Sequence, residues 1–500
     1  MRLLRRSLRR DLRARWAQFV TVGVTITLGV ALFGASFDAF QNLTASYQAM
    51  YDQLAFADLV ASGGPVEQVA AAGGAVAGVD ATTTRAVGEV PVRIGSHDQL
   101  ARIVGLPADG KPAVDAVLVL RGTNLDPARG DPVLVEQHLA GAGGLEPGDR
   151  LDVMTANGWR TVTVAGVVAS PEYLWPARSR QEVLVPYDQW GVLFGPGSLV
   201  ESLPSAAIQH EVLFRLAPDA PEGALDALGT AVLGAGAVDA QPQVDQPSSA
   251  TLQEDVNGFG ELSIMFPAMF LLAGALAMAV LLGRMVASQR AQIGMLLASG
   301  FARRSILWHY LAFGLLVGLV GSVLGVILGS LAAATISQLY TTAISVPITV
   351  IEVRPLTVLI GLVMGPIAGA VAAYFPARRA ARTSPAEAMR GELPSGHGSV
   401  SLVERLVPPV RRLPTRWLVS LRGLGRSPRR TISTIMGIAI ATMLVLVSWG
   451  MIDTVQVLLD RQFNQVQRQD ATVLFAAPLP AGKVGTALAV DGVAGADPEL

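Results

Sequence analysis

Any nucleotide, metal or nucleophilic chemistry in this chain would have to start from two lysines, five histidines and scattered carboxylates, with no cysteine. Lys111 precedes Pro112 and Lys483 precedes Val484, so neither closes a Gly-x-x-x-x-Gly-Lys-Ser/Thr loop, whose lysine must reach the terminal phosphates of a nucleotide. The chain is therefore not expected to be an enzyme that hydrolyses ATP by itself. His97, His138, His210, His309 and His397 stand singly and make no metal-ligand spacing. Ser96, His97 and Asp98 spell a triad, but consecutive residues project apart and cannot form a relay of nucleophile, base and orienter. The catalytic, cofactor-binding and metal-binding sets are thus all read as empty. Glu172–Pro176 is aromatic enough for a contact surface, although a packed turn is the simpler reading. Trp308, His309 and Tyr310 open an apolar stretch and are expected to anchor it at an interface.

The elements around these residues are dominated by five apolar stretches, 17–37, 263–283, 306–336, 356–376 and 431–452, none containing a charged residue. Each reaches the ~20 residues that a helix needs to cross the hydrocarbon core. With 51% hydrophobic residues and a mean hydropathy of +0.45, the chain is expected to be an integral membrane protein with at least five transmembrane helices.

Charge then orients it. Residues 1–15 carry seven arginines against Asp11; 284–305 carries Arg284, Arg290, Arg303 and Arg304 with no acid; and 377–430 carries twelve arginines against three acids. The positive-inside rule puts these segments in the cytoplasm. The stretch 41–258, with 11 basic and 26 acidic residues, then lies outside, so the formal net charge of -1 hides two opposed faces. The expected location is the cell membrane, multi-pass, N-terminus inside. The first apolar stretch is longer than a signal-peptide core and lacks a clear cleavage pattern.

The domain reading is a basic N-terminus (1–16), a first span (17–37), a stalk with an extracytoplasmic domain (38–258), a three-span unit (259–390), a cytoplasmic linker (391–430), a fifth span (431–452) and the start of a second stalk and outer domain (453–500). Short β-like runs in the first outer region (89–94, 101–106, 116–120, 132–136, 160–168, 182–185 and 211–216) alternate with helical candidates at 65–72 and 221–233, predicting an α+β domain inserted between helices 1 and 2. The turn at 145–149, followed by 150–153 and 161–168, reads as a hairpin-rich subdomain. Gly314, Gly318, Gly321, Gly325 and Gly329 recur at three- and four-residue spacing, as expected of one helix face that lets another helix approach closely. Ser7-Leu8-Arg9 before the first span is repeated as Ser420-Leu421-Arg422 before the fifth, and a stalk follows each. The second outer domain would need more than the ~30 residues present, so the chain is expected to be the front part of a longer protein, or a truncated one.

Two segments are more specific. Residues 284–304, RMVASQRAQIGMLLASGFARR, link the second and third spans, and 375–390, FPARRAARTSPAEAMR, leave the fourth. Both resemble the FtsX-like permease domain of ABC transporters, the group of macrolide-exporter-type and lipoprotein-releasing permeases, in its duplicated form. In the first, Arg290, Ile293, Gly294, Ala298 and Gly300 stand at family positions, with Gln292 where an acid is usual. In the second, Pro376, Ala377, Ala380, Pro385, Ala388 and Arg390 match. The resemblance implies a permease that passes force from a separate cytoplasmic ATPase, a dimer holding the ATP and Mg, to an outer domain acting on lipids, lipoproteins, peptides or other hydrophobic substrates. Membrane lipids and an extracytoplasmic protein are further expected partners; nucleic acid is not.

The residues supply their own reason for the first motif. A short helix with Ile293, Met295, Leu296 and Leu297 apolar and Gln289, Arg290 and Gln292 polar can lie at the membrane face and dock into a groove on a soluble partner, or anchor to anionic lipid. In the second motif, Pro376 reads as a helix stop before a new helix capped by Ser384 with Pro385 at its first position. Two other functions stay open: a regulator that switches an extracytoplasmic cell-wall enzyme, and a membrane-anchored sensor or scaffold without an ATPase.

Overall fold

The computed structural model describes residues 2–107, 109–126, 131–183, 185–384 and 428–461, with isolated positions beyond. They form two compact units. Of the described residues, the first contains 2–44, 257–339, 350–384 and 428–461, and the second 45–107, 109–126, 131–183, 185–256 and 340–349.

The first unit is helical. A short helix α1 (Arg2–Ala14) precedes α2 (Trp16–Gln53), and α7 (Pro247–Ser288), α8 (Arg290–Ala298), α9 (Arg303–Ala343), α10 (Pro355–Arg382) and α11 (Pro428–Arg461) supply the rest. Among the described residues, α2, α7, α9, α10 and α11 are long and apolar enough to cross a membrane. At 42 and 41 residues, α7 and α9 run to about 60 Å, twice the ~30 Å of hydrocarbon. The second span was expected over 263–283, but α7 starts earlier, at Pro247, because the polar turns at its beginning hold helical geometry without needing apolar side chains. The fourth span was expected to stop at Pro376. Instead α10 continues to Arg382, with Pro366 and Pro376 inside it; proline fixes a helical φ and removes only one donor.

The core of this bundle is built from Ile26, Val30, Met278, Leu282, Met285, Phe313, Ala373 and Ala377, all buried. Phe19 stacks on Phe313 with centroids 5.4 Å apart. The opposite side of α9, with Leu319, Val320, Leu324, Ile327 and Leu331, is exposed, which hydrocarbon tolerates and water does not.

The second unit is α+β, with one ten-stranded sheet in the order β10-β1-β9-β2-β3-β8-β5-β7-β4, and β6 pairing with β2 and β7. The strands are β1 (Leu59–Ser62), β2 (Val79–Ile94), β3 (His97–Leu106), β4 (Leu118–Gly122), β5 (Pro132–Glu136), β6 (Arg150–Thr155), β7 (Gly158–Ala169), β8 (Trp190–Pro196), β9 (Ile208–Leu216) and β10 (Asp239–Pro242). The pairs β3 with β8 and β5 with β7 are parallel; the others are antiparallel. The β6–β7 hairpin pairs from Arg150 opposite Thr163 to Thr155 opposite Gly158. Helices α3 (Val66–Gly74) and α6 (Ala224–Gly234) bury Val69, Leu228 and Val232 against Leu59 and Phe214 of β1 and β9. The helices α4 (Gln137–Gly143) and α5 (Gly197–Glu201) complete the unit.

Residues 182–185 were expected to be a strand, but Glu182, Val183 and Val185 are irregular, and the strand is the later β8. Its two glycines are sites of close packing: a Cβ on Gly191 would meet Leu139 at 2.7 Å, and one on Gly195 would meet Leu199 at 2.8 Å.

Candidate coupling site on the α8 helix

The site begins where α7 ends. Gln289 leaves helical geometry, with φ −103° and ψ 10°, so the chain bends between α7 and α8. Its side chain fastens the bend: Nε2 donates to Asp11 Oδ2 at 3.1 Å, and Tyr310 donates its hydroxyl to Oε1 at 2.8 Å. Beside it, Arg15 Nη2 donates to Ser288 Oγ at 2.9 Å. α1 packs its partly buried Leu8 and Leu12 on the bundle core, while Arg6, Arg9, Arg10 and Arg13 remain exposed.

α8 ends as firmly as it starts. Phe301 N–H donates to Leu296 O at 3.1 Å and Gly300 N–H to Leu297 O at 3.1 Å, and Gly300 has φ +86°. This is a Schellman cap, whose left-handed residue favours glycine. The Ala298-x-Gly300 ending of the motif thus has a local physical purpose.

Between these ends the helix divides into two faces. Ile293 and Gly294 are buried, Leu296 and Leu297 are partly buried against the bundle core, and Arg290, Ala291, Gln292, Met295 and Ala298 are exposed. Met295 departs from the expected apolar face: it is 64% exposed, because residue 295 projects away from the side carrying 293, 296 and 297. An unbranched, polarizable side chain on a helix held at both ends is suited to filling a pocket on another protein.

The second motif lies partly beside this core. Pro376, Ala377 and Ala380 are buried in α10, and Arg379 and Arg382 occupy its last turn, where cations complement the helix dipole. Pro385, Ala388 and Arg390, with the helix start expected after Ser384, lie outside the described residues, as does the expected second outer domain. Trp308 is 53% exposed, in keeping with an anchoring role, but Tyr310 points inward to Gln289.

The glycine series serves two neighbours rather than one face. Gly314 and Gly318 meet Gly369 and Gly365 of α10, whereas Gly321, Gly325 and Gly329 meet Ile26, Val30, Ala31 and Gly34 of α2. Gly365 N–H also donates to the buried Ser322 Oγ at 3.1 Å.

The α+β unit holds an ionic cluster that no local pattern announced. Arg85 of β2 faces Glu211 of β9 across the ladder, with Nη2 to Oε2 at 2.7 Å. It also reaches Glu172 at 2.8 Å and Asp115 at 3.5 Å, while Arg102 bonds Glu211 at 2.7 Å. Tyr173 donates to Glu172 at 3.1 Å, so the 172–176 turn is packed rather than free. Burial of Arg85 opposes its charge, yet the Glu172, Glu211 and Asp115 carboxylates outweigh it and hold the guanidinium well above its usual range. Burial opposes ionisation of Glu211, yet Arg85 and Arg102 outweigh it and lower its pKa. Burial, with the Glu172 carboxylate next, pushes Asp115 up to about 7. His97 and Asp98 do not act together: Asp98 is paired to Arg93 at 2.6 Å.

Among the described residues, five helices long and apolar enough to cross a membrane are those expected of a multi-pass membrane protein. Residues 264–385, from within α7 to just past α10, match the family model described as FtsX-like permease C-terminal, so this part of the chain is similar to an FtsX-like permease domain. No curated protein matches the chain. Among solved structures it is similar to the extracellular domain of the noncanonic ABC-type transporter YknZ from Gram-positive bacteria, at 14% identity over 36% of this chain and 89% of that one. The TM-score is 0.25, which assigns no fold.

Proposed function

We propose that this chain is the transmembrane permease subunit of an ATP-binding-cassette transporter. A separate cytoplasmic ATPase, working as a dimer, binds ATP and Mg and docks on the exposed face of α8. Its movement passes through α2, α7, α9 and α10 to the α+β unit, which lies outside the cell and acts on a lipid, lipoprotein, peptide or other hydrophobic substrate. The chain itself carries no catalysis and needs no cofactor of its own. The arginine-rich segments support a cytoplasmic side for α1 and α8.

One observation carries this reading: within the FtsX-like region, Arg290, Gln292 and Met295 are presented outward on a helix tied down by Gln289 and capped by Gly300. A protein coupled to a moving partner needs such a lever, because a floppy loop would absorb the displacement.

The test is co-purification of the full-length protein with candidate ATP-binding-cassette subunits, comparing wild type with Met295→Asp. The expected result is association that stimulates ATP hydrolysis in the wild type and is lost in the variant. A folded wild-type protein that binds no such ATPase overturns the reading.

A further inference from the structure

The segment between α9 and α10 returns to the α+β unit through a histidine. Residues 340–349 belong to the same compact unit as the sheet. They hold their own shape: Val346 N–H donates to Thr341 O at 2.8 Å, and the Thr341 and Thr349 hydroxyls are 2.7 Å apart. Ser345 adopts φ +58°. This turn presents two carbonyls to the start of α4. Gln137 Nε2 donates to Ser345 O at 2.6 Å, and His138 Nε2 lies 3.3 Å from Ile344 O.

The other side of the imidazole decides its chemistry. His138 Nδ1 is 2.7 Å from Glu136 Oε1. The Glu136 carboxylate is buried, 1% exposed, and its second oxygen caps α4 by accepting from His138 N–H at 2.9 Å. A carboxylate and a carbonyl are both acceptors, so both ring nitrogens must donate, which only the imidazolium can do. A neutral ring that keeps its proton on Nδ1 would turn a lone pair toward the Ile344 carbonyl. The other titratable group facing the ring is Tyr187, with ring centroids 5.1 Å apart. On the opposing segment, Tyr340 is engaged with Asp255, leaving the backbone carbonyl as the group that meets the ring.

We propose that His138 and the 340–349 segment form a proton-dependent latch, closed when the imidazole is charged and released when it is neutral. Burial works against the charge, but the Glu136 hydrogen bond and charge and the Ile344 carbonyl outweigh it and raise the His138 pKa above its ordinary value. The sign follows from that direction. The latch stabilises the closed state fully below the ordinary histidine pKa near 6.5 and loses this contribution as pH rises through the raised one. Gln137 to Ser345 is a pH-independent companion contact. The latch does not depend on the transporter reading, since it needs no ATPase.

The experiment measures hydrogen exchange of residues 340–349 in the full chain in nanodiscs between pH 6 and 9, corrected for intrinsic rates, alongside a side-chain NMR titration of His138. In the wild type, protection is expected to fall about tenfold for each unit by which the latch raises the pKa. His138→Gln is expected to remove this pH dependence while leaving β7 protected, whereas Gln137→Ala lowers protection equally at every pH. A His138 that titrates at its ordinary value, or a pH dependence that survives in His138→Gln, overturns the proposal. The wild-type titration decides the matter even if a variant fails to fold.

Discussion

Gly314 of α9 and Gly369 of α10 approach so closely that a Cβ placed on either would fall 2.1 Å from the carbonyl oxygen of the other. Here backbone meets backbone, and no side-chain rotamer can relieve an added methyl. Gly314→Ala is expected to destabilise the helix pair by about 1–3 kcal/mol through overpacking, even though alanine favours helix. Gly283, where an added methyl would meet nothing within 4 Å, is the control, and Gly283→Ala should be neutral or stabilising. Thermal melting in detergent checks both.

The two faces of α8 predict opposite behaviour. Met295→Asp changes an exposed position, so melting should stay within about 0.5 kcal/mol of wild type while ATPase association drops. Ile293→Ala removes a buried side chain and should cost about 2–5 kcal/mol. Melting and pull-down measured on the same preparations separate docking from packing.

Gly300→Ala tests the Schellman cap. Forcing alanine to φ +86° should cost about 1 kcal/mol and loosen the α8 end without touching its exposed face. Faster hydrogen exchange at Gly300 and Phe301, whose amides make the cap, is the expected signature.

Asp115 gives the ionic cluster a pH dependence. Ionised, it makes three carboxylates against Arg85 and Arg102; protonated, it leaves two against two. Its folded pKa of about 7 lies above the unfolded 3.8, so the folded state holds the proton more tightly, and stability falls as pH rises from about 4 to about 7, then levels. Asp115→Asn keeps an acceptor for Ala57 N–H, now 2.7 Å from Asp115 Oδ1. The wild-type minus variant difference in melting temperature should therefore decline across that window. A flat difference would remove Asp115 from the titration.

Much of this architecture is legible along the chain because it depends on local properties. The length of an apolar run sets whether a helix can cross a bilayer, and arginine asymmetry sets the expected topology. Short β-like runs bounded by Gly, Pro and Asp marked β5 and much of the β6–β7 hairpin. The α8 motif was visible through Ile293, Gly294 and Gly300, and glycine spacing announced close packing. β8 was missed because glycine weakens a strand pattern, and only the packed structure shows Leu139 and Leu199 lying over Gly191 and Gly195.

What the chain determined by itself was therefore which segments are apolar, which are basic, and where helices bend or stop, since these follow from side-chain solvation and backbone preference within a few residues. Tertiary structure decided which neighbour each surface met. It divided one glycine series between α2 and α10, turned Met295 outward, and assembled Arg85, Asp115, Glu172 and Glu211 from four separate segments. It also brought His138 to the carbonyl of Ile344, a residue 206 positions away. A one-dimensional pattern specifies the angle at which a side chain leaves its helix or strand, but burial and charge depend on what packs against that side.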